Sequence, residues 1–496
     1  MRLHDMLAGL DVRELVGGDV EVTSITNDSR RVQHAGCYAC IPGARVDGHD
    51  FAPDAIAAGA SALLVERVLD QEVVGAVAQA CVPSVRAALG PAAATLFEHP
   101  SRAMDCLGVT GTNGKTTTTF LLESIARSAQ LHVGVIGTVG ARVDGAPFAS
   151  AQVTPTTPEA CDLQALLASM RDVGVDVVAM EVSSHGLERR EVDGTEFAAV
   201  CFTNLSHEHL DFHGTMDAYF DAKARLFDGS FAPAAAINLD DDSGRLLAAR
   251  VSGTDVALFT FGAQPDARLG ADEITYDGHG TSYTLVDRDT ATRVPVRTTL
   301  VGPFNVDNAL AAAATAIAAG FSLDAVAAGL AHPARLPGRM EPVERGQGFA
   351  VLVDYAHTPD ALAHVLGAAR AIADGGRVLA VFGAGGDRDR AKRPLMGEAV
   401  ARAADVAVLT SDNPRSEVPD AIADAVHRGL RSGPAQVIVE LDRRAAIRRA
   451  LAAARPGDVV VIAGKGHETG QTIGDRTLPF DDRVVAGEEL EALGWT

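Results

Sequence analysis

At 496 residues the chain is too long for one hydrophobic core, and 47% hydrophobic with 22% charged residues is the composition of an ordinary soluble globular protein. Domains of about 100 to 200 residues allow two to four units, and three is the preferred division. A formal net charge of −22 argues against a nucleic-acid or anionic-membrane partner, so an anionic ligand needs its own local arginines and lysines.

Residues 1–102 read as a small N-terminal α/β domain. Met1 to Leu10 has no long apolar core behind a basic start, so no signal peptide is expected. No stretch approaches the ~18 to 20 apolar residues of a membrane span. A cytoplasmic monomer without membrane insertion is the expectation. Asp28-Ser29-Arg30 lies in a polar turn, and taken alone Ser29 and Arg30 fit a solvated turn better than a phosphate or sugar contact. Cys37 and Cys40 have CxxC spacing, but no second pair completes a zinc site, and buried small side chains in a strand are expected. A helical segment, Ala52 to Gly59, and an apolar strand, Ala62 to Val65, follow.

Residues 103–336 read as a larger central domain that starts with GVTGTNGKTTTT, Gly108 to Thr119. An apolar run precedes it, and Phe120 to Ala126 has apolar residues at helical spacing. Strand, glycine-rich turn and helix start together form a phosphate cradle: backbone N–H groups turn inward and the helix N-terminus adds partial positive charge. Lys115 reaches the terminal phosphates and the Thr116 hydroxyl binds Mg²⁺ in such a loop, although Val109 stands where the strict Walker A pattern has glycine. Strand-like runs at 133–136, 175–180, 198–202 and 234–238 alternate with helical ones, the pattern of a mostly parallel sheet.

In such sheets ligands bind beyond the strand carboxyl ends, where this chain carries polar clusters. Glu181-Val182-Ser183-Ser184-His185-Gly186 puts an acid where a P-loop protein holds Mg²⁺. Thr203 to Gly214, TNLSHEHLDFHG, holds three histidines and two acids. Zinc is the rival ligand there, but no HExxH spacing is present and phosphate-bound Mg²⁺ prefers oxygen. Lys223 lies in the helical stretch 216–227, where a lone lysine reads as part of a solvated face. Asn305 and Asn308 open an alanine-rich helix, either as caps or as ligand contacts.

Residues 337–496 form a second α/β unit after the turn Pro337-Gly338-Arg339. Strand-like runs at 350–353, 378–382, 406–409, 437–439 and 459–463 are expected. Four of the strand ends carry DYAH, GAGGDRD, DNPR and GKGHE, which suggests one shared cleft. GAGGDRD is not GxGxxG and is not read as an NAD site.

Taken together, DSR, TGTNGKTTT, EVSSHGL, TNLSHEHLDFHG, Lys223, GPFNVDN, LPGRME, DYAHTPD, GGDRD, DNPR and GKGHE resemble the Mur ligase family, the ATP-dependent amide ligases of peptidoglycan precursor synthesis. These motifs run from residue 28 to residue 468, nearly the whole chain. The resemblance implies three domains: a central P-loop-type, mostly parallel sheet flanked by a small N-terminal α/β domain and a C-terminal Rossmann-like α/β domain. Within the family the motifs are most similar to those of members that add the third stem-peptide residue. That implies UDP-N-acetylmuramoyl-L-alanyl-D-glutamate as acceptor, with ATP and Mg²⁺. DNPR resembles the signature of members adding meso-diaminopimelate; those adding L-lysine usually differ there.

By the same resemblance, Gly111, Thr112, Asn113, Gly114, Lys115, Thr116, Thr117 and Asn305 hold the nucleotide. Thr116, Glu181, His209 and a carbamylated Lys223 serve the metal, and Lys115, Glu181, His209 and Lys223 are the catalytic set. Asn27, Ser29, Ala44, Arg45 and Val46 match positions that hold the uridine nucleotide; Thr156, Thr157 and Ser183 match acceptor-peptide contacts. Arg388, Asp412, Asn413, Pro414, Arg415, Gly464 and Glu468 match the amino-acid site. Arginine's planar fork suits diaminopimelate's second carboxylate, which lysine lacks. One departure stands out. Related enzymes often have glutamine and, two further on, arginine after SSHGL, whereas this chain has Arg189, Arg190 and Glu191. Arg189 is kept as an acceptor contact and Glu191 is not. A lysine-adding member, a folylpolyglutamate synthase-like ligase and a nucleotide-gated binding module without turnover remain the alternatives.

Overall fold

A computed structural model describes residues 1–43, 46–148, 156–277, 280–334, 336–373 and 375–495. Three sheets organise it. The first has five strands in the order Glu14–Val16, Ala78–Cys81, Ala60–Val65, Gly36–Ala39 and Ser24–Thr26. Cys37 and Cys40 are both buried and unpaired there, as expected of small core side chains.

The second sheet has eleven strands. Its parallel centre runs Ala257–Phe261, Ala234–Asn238, Ala199–Phe202, Asp105–Thr110, Val177–Glu181 and Val133–Gly137. Apart from the partly exposed Ala257–Phe261, both faces are buried, which is why these strands read as continuous apolar runs. Alternate residues feed two separate cores: Cys106, Val178 and Val200 one, Leu107, Ala179 and Cys201 the other. At one edge the strands Leu269–Asp277, Gly280–Asp287 and Thr292–Thr298 pair antiparallel, and at the other Gly140–Val143 pairs antiparallel with Val133–Gly137. The run of apolar segments did not announce these edges, because half-exposed strands alternate with polar residues.

The helix Lys115–Ser128 starts directly after the glycine-rich loop. Four consecutive threonines are poor helix formers. Here Thr116 to Thr119 are all buried, so packing sustains the helix. Helix Leu323–Ala331 lies against it so closely that a Cβ on Gly329 would stand 2.4 Å from Ile125 Cα.

The third sheet has six strands in the order Glu341–Pro342, Ala350–Asp354, Val459–Ala463, Val378–Phe382, Val406–Leu409 and Gln436–Val439. All but the first pair are parallel. DYAH, GAGGDRD, DNPR and GKGHE therefore leave neighbouring strands at one carboxyl edge. Among the described residues no helix is long and apolar enough to cross a membrane.

Candidate active site

The cradle is a backbone device. Gly111 and Gly114 have φ of 148° and 88°. A Cβ on Gly111 would lie 1.9 Å from Thr203 Oγ1, and one on Gly114 would lie 2.3 Å from Asn308 Oδ1. Only glycine fits either position. Asn204 braces the loop from the next strand end: its Oδ1 accepts from Asn113 N at 2.9 Å and its carbonyl from Thr112 N at 2.9 Å. No side chain caps the helix at Gly114, so its first N–H groups face the loop.

Two lysines converge on that loop. Lys115 Nζ donates to the carbonyls of Gly111 and Thr112 at 2.9 and 2.8 Å, and Lys223 Nζ donates to Gly111 O at 2.9 Å. Lys223 is not on a solvated face. It is 1% exposed, with Nζ 4.8 Å from the centroid of the Tyr219 ring. Burial lowers the Lys115 pKa. Burial, with Lys115 as a like charge, pushes Lys223 well below the ordinary lysine value. Tyr219 also ties this corner to the loop through a 3.0 Å hydrogen bond between its hydroxyl and Thr112 Oγ1.

The Thr116 hydroxyl donates to Glu181 Oε1 at 2.9 Å. Thr138 fixes the same carboxylate through its N–H at 3.0 Å and its hydroxyl at 3.1 Å. The hydroxyl of the fully buried Thr157 lies 3.2 Å from Glu181 O and 3.1 Å from Ser183 Oγ, so the two threonine segments and the EVSSHG turn form one network. Thr156 joins it through Thr138 Oγ1 at 3.2 Å.

Two charged residues stand here that the sequence placed in motifs without assigning them a role. Glu208 lies 3.6 Å from His209 Nε2 and 3.7 Å from His357 Nε2, a histidine of the DYAH motif. Burial opposes its ionisation, but His357, His209 and Lys115 outweigh that and hold the carboxyl far below its usual range. His209 itself is lowered by burial, with Glu208 opposing. Arg339, in the turn that leads into the third sheet, donates from Nη2 to Thr116 Oγ1 at 3.1 Å and lies 4.9 Å over the Tyr355 ring. Its Nε is buried without a partner. The signal for Arg339 was the single arginine in PGR; nothing local distinguished it from any turn arginine.

A cavity of ≈ 620 Å³ lies between the second and third sheets, with Lys115, Glu181 and Asn305 on one wall and Arg339, Tyr355 and His357 on the other; Lys223 is not among its lining residues. Arg415 is not among its lining residues. The DNPR and GKGHE residues form an adjoining cluster. Arg415 Nη1 donates to Gly386 O at 2.7 Å, and Asn413 Nδ2 donates to Glu468 Oε2 at 2.8 Å. Asp412 is buried, and a Cβ on Gly464 would stand 2.4 Å from its Oδ2. Pro414 is buried, whereas Arg388 is exposed at the rim. Tyr355 connects cluster and cavity: it lines the cavity and its ring centroid lies 5.1 Å from that of His467.

Asn27 donates to Glu159 Oε2 at 3.2 Å, Ser29 is half-buried at the start of the turn Ser29–Arg31, and Val46 is exposed. Ala44 and Arg45 lie outside the described residues. Arg30 is solvated, paired with Asp28. Arg189 is half exposed and stands 3.9 Å from the buried Glu191, whose carboxyl is pushed up to about 7 by burial and by Glu159.

A phosphate cradle at the mouth of a parallel sheet, facing a second α/β sheet across a cavity, is the architecture of a P-loop nucleotide-using enzyme. Three family models cover most of the chain: "Mur ligase family, catalytic domain" at residues 21–98, "Mur ligase middle domain" at 109–316 and "Mur ligase, glutamate ligase domain" at 338–466. UDP-N-acetylmuramoyl-L-alanyl-D-glutamate–2,6-diaminopimelate ligase of Streptomyces coelicolor is 45% identical over 96% of this chain and 93% of its own. The protein of that name from Gloeobacter violaceus is 44% identical over 99% and 98%. A solved structure of a ligase with the same name covers 96% of both chains at 34% identity with a TM-score of 0.68. The MurF ligase of Thermotoga maritima in complex with ADP, 18% identical with a TM-score of 0.62, shares the fold. The chain belongs to the Mur ligase family, whose members are ATP-dependent ligases that form a C–N bond.

Proposed function

We propose that the chain joins meso-diaminopimelate to UDP-N-acetylmuramoyl-L-alanyl-D-glutamate at the expense of ATP. The observation that carries this reading is the cavity shared by the phosphate cradle and the third sheet, with the DNPR and GKGHE ends beside it. A carboxylate is a poor electrophile. Its oxygen attacks the γ-phosphorus of ATP, an acyl O–P bond forms, and the bond to ADP breaks. The incoming amine then attacks the acyl carbon, passes through a tetrahedral intermediate, expels phosphate and loses a proton. The protein's part is positioning and charge stabilisation.

Lys115 swings from its own loop carbonyls onto the phosphates, and Gly111 to Thr117 supply the N–H cradle, with Asn305 on the nucleotide side. Arg339 adds a second cation from the other wall. Thr116 and Glu181 offer hard oxygens 2.9 Å apart, which fits Mg²⁺. Among the described residues no group of three or more His, Cys, Asp or Glu side chains is placed to hold a metal ion, in keeping with an ion that takes its remaining ligands from phosphate and water. When bound, Mg²⁺ would neutralise phosphate charge, with His209 and Lys223 beside the acceptor carboxylate. A buried lysine whose pKa is lowered gives up its proton more readily, the free amine can add CO₂, and the carbamate would be an anionic acceptor where an ammonium would repel metal.

The N-terminal unit, residues 1–102, takes the uridine nucleotide through Asn27, Ser29 and the 44–46 segment. Thr156, Thr157, Ser183 and Arg189 take the acceptor peptide. The C-terminal unit, 337–496, takes the amino acid through Arg388, Asp412, Asn413, Pro414, Arg415, Gly464 and Glu468. Phosphate release that requires both the nucleotide-sugar dipeptide and diaminopimelate supports the reading. Equal turnover with L-lysine removes the selectivity, and ATP binding without amide product favours a binding module.

A further inference from the structure

Lys465 is 0% exposed, yet no step above uses it. A buried ammonium needs acceptors on every side. Its Nζ donates to Glu468 Oε2 at 2.8 Å, to Asn413 Oδ1 at 3.3 Å and to the Gly470 carbonyl. All three partners belong to the amino-acid cluster or to the hairpin behind it. Asn413 Nδ2 also donates to Glu468 Oε2. Both hydrogen bonds therefore fall on one carboxylate oxygen, and no described donor takes Oε1.

The hairpin formed by Gly470–Ile473 and Arg476–Pro479 completes the arrangement. Thr472 N donates to Asn413 Oδ1 at 2.9 Å, Thr472 O accepts from Arg415 N at 3.1 Å, and Gly474 N donates to Arg415 O at 2.8 Å. Gln471 Nε2 donates to Asp412 O at 2.8 Å. Arg415 is thereby held at φ 52°, a left-handed conformation that arginine does not choose unaided.

We propose that Lys465 is the positioning residue of the amino-acid site: from the interior it locks one oxygen of Glu468 and anchors the hairpin that aims Arg415, so that one fixed anion and one fixed cation face the substrate's ammonium and carboxylate. The inference rests on the functional reading above. A zwitterionic diamino acid is the ligand chemistry that such a pair selects.

Electrostatics agree with the geometry. Burial raises the Glu468 carboxyl, and the Lys465 ammonium, with the Asn413 amide and His467, outweighs it. The other groups facing Glu468 are Tyr355 and Arg443. In Lys465→Met the burial is left unopposed by its main partner, so Glu468 takes up a proton at higher pH and loses its hold on an ammonium.

The test is steady-state kinetics of the full-length enzyme, wild type and Lys465→Met, between about pH 6.5 and about pH 8.5. Lys465→Met raises KM for diaminopimelate about tenfold or more, and the variant-to-wild-type KM ratio grows as pH falls, while KM for ATP moves less than about threefold. In a Glu468→Gln background the same substitution adds less than about threefold. A KM ratio equal at every pH, or an undiminished effect in the Glu468→Gln background, overturns the proposal. If Lys465→Met does not fold, Lys465→Arg decides. Its larger head displaces the carboxylate but keeps the charge, so KM for diaminopimelate rises by a pH-independent factor, and an unchanged KM overturns the proposal. A wild type that does not use diaminopimelate refutes the functional reading; a wild type that does, beside a Lys465→Met that matches it, refutes only the role of Lys465.

Discussion

Replacing Arg339 with alanine tests whether the two sheets act on one nucleotide. In the structure the guanidinium spans them, donating to Thr116 Oγ1 at 3.1 Å from a perch 4.9 Å over the Tyr355 ring. On the proposed function the acceptor in the nucleotide complex is a phosphate oxygen rather than a hydroxyl. A hydrogen bond to a charged group contributes about 1.5–3 kcal/mol. The stacking on Tyr355 contributes about 0.5–2 kcal/mol and holds the cation in place. The two share one group and are not additive, so about 3 kcal/mol is the expected loss, or about 10²-fold in kcat/KM for ATP. Phosphate release with both co-substrates saturating and ATP varied gives this number directly. Arg339→Lys keeps the charge but neither the fork nor the stacking, and should recover only part of the activity. Thermal unfolding should change little, because Arg339 is only half-buried. An Arg339→Ala enzyme within about threefold of wild type would show that the third sheet's contact with the cradle plays no part in turnover.

Other outcomes are equally definite. Arg415→Ala should lower kcat/KM for diaminopimelate by about 10- to 100-fold and narrow its advantage over lysine, with ATP affinity nearly unchanged; an equal fall in ATP affinity contradicts the assigned role. Protein equilibrated with ¹³C-bicarbonate should give a carbamate resonance that is missing from Lys223→Ala, since burial favours the neutral amine; a resonance that survives the substitution belongs to another amine. Glu191 gives a pH-dependent stability. Its folded pKa of about 7 lies above the ordinary 4.5, so the unfolded chain ionises first and stability falls as pH rises from about 4.5 to about 7. Glu191→Gln removes that loss, which amounts to up to about 3 kcal/mol above the window and nothing below it. Melting curves at acid and mildly alkaline pH, compared with wild type, should diverge only on the alkaline side; a constant offset would mean packing, not charge.

The phosphate loop was legible because its signal is local. Gly111 and Gly114 mark backbone that no other residue can adopt, and the apolar strand and helix on either side need only neighbours in sequence. The strand ends of the third sheet were legible for the same reason. Lys223 read as a solvated side chain because a helix shows its own periodicity but not what covers it. The partner of its ammonium, Gly111 O, is 112 positions away. Glu208 stood out only as one of two acids beside three histidines, with no role of its own, since only the meeting with His357 of another sheet distinguishes it.

From residue order alone came the buried apolar strands, the cradle, the clusters at the strand ends and the family they resemble, all consequences of periodicity and of residues with special backbone or chemical capacity. Folding in three dimensions decided the rest. It turned Lys223 inward, brought Arg339 across to Thr116, kept Arg415 out of the cavity that Lys115 lines, and put Lys465 behind Glu468. Charge interactions depend on distance and on exclusion of water, and neither is a property of neighbours along a chain.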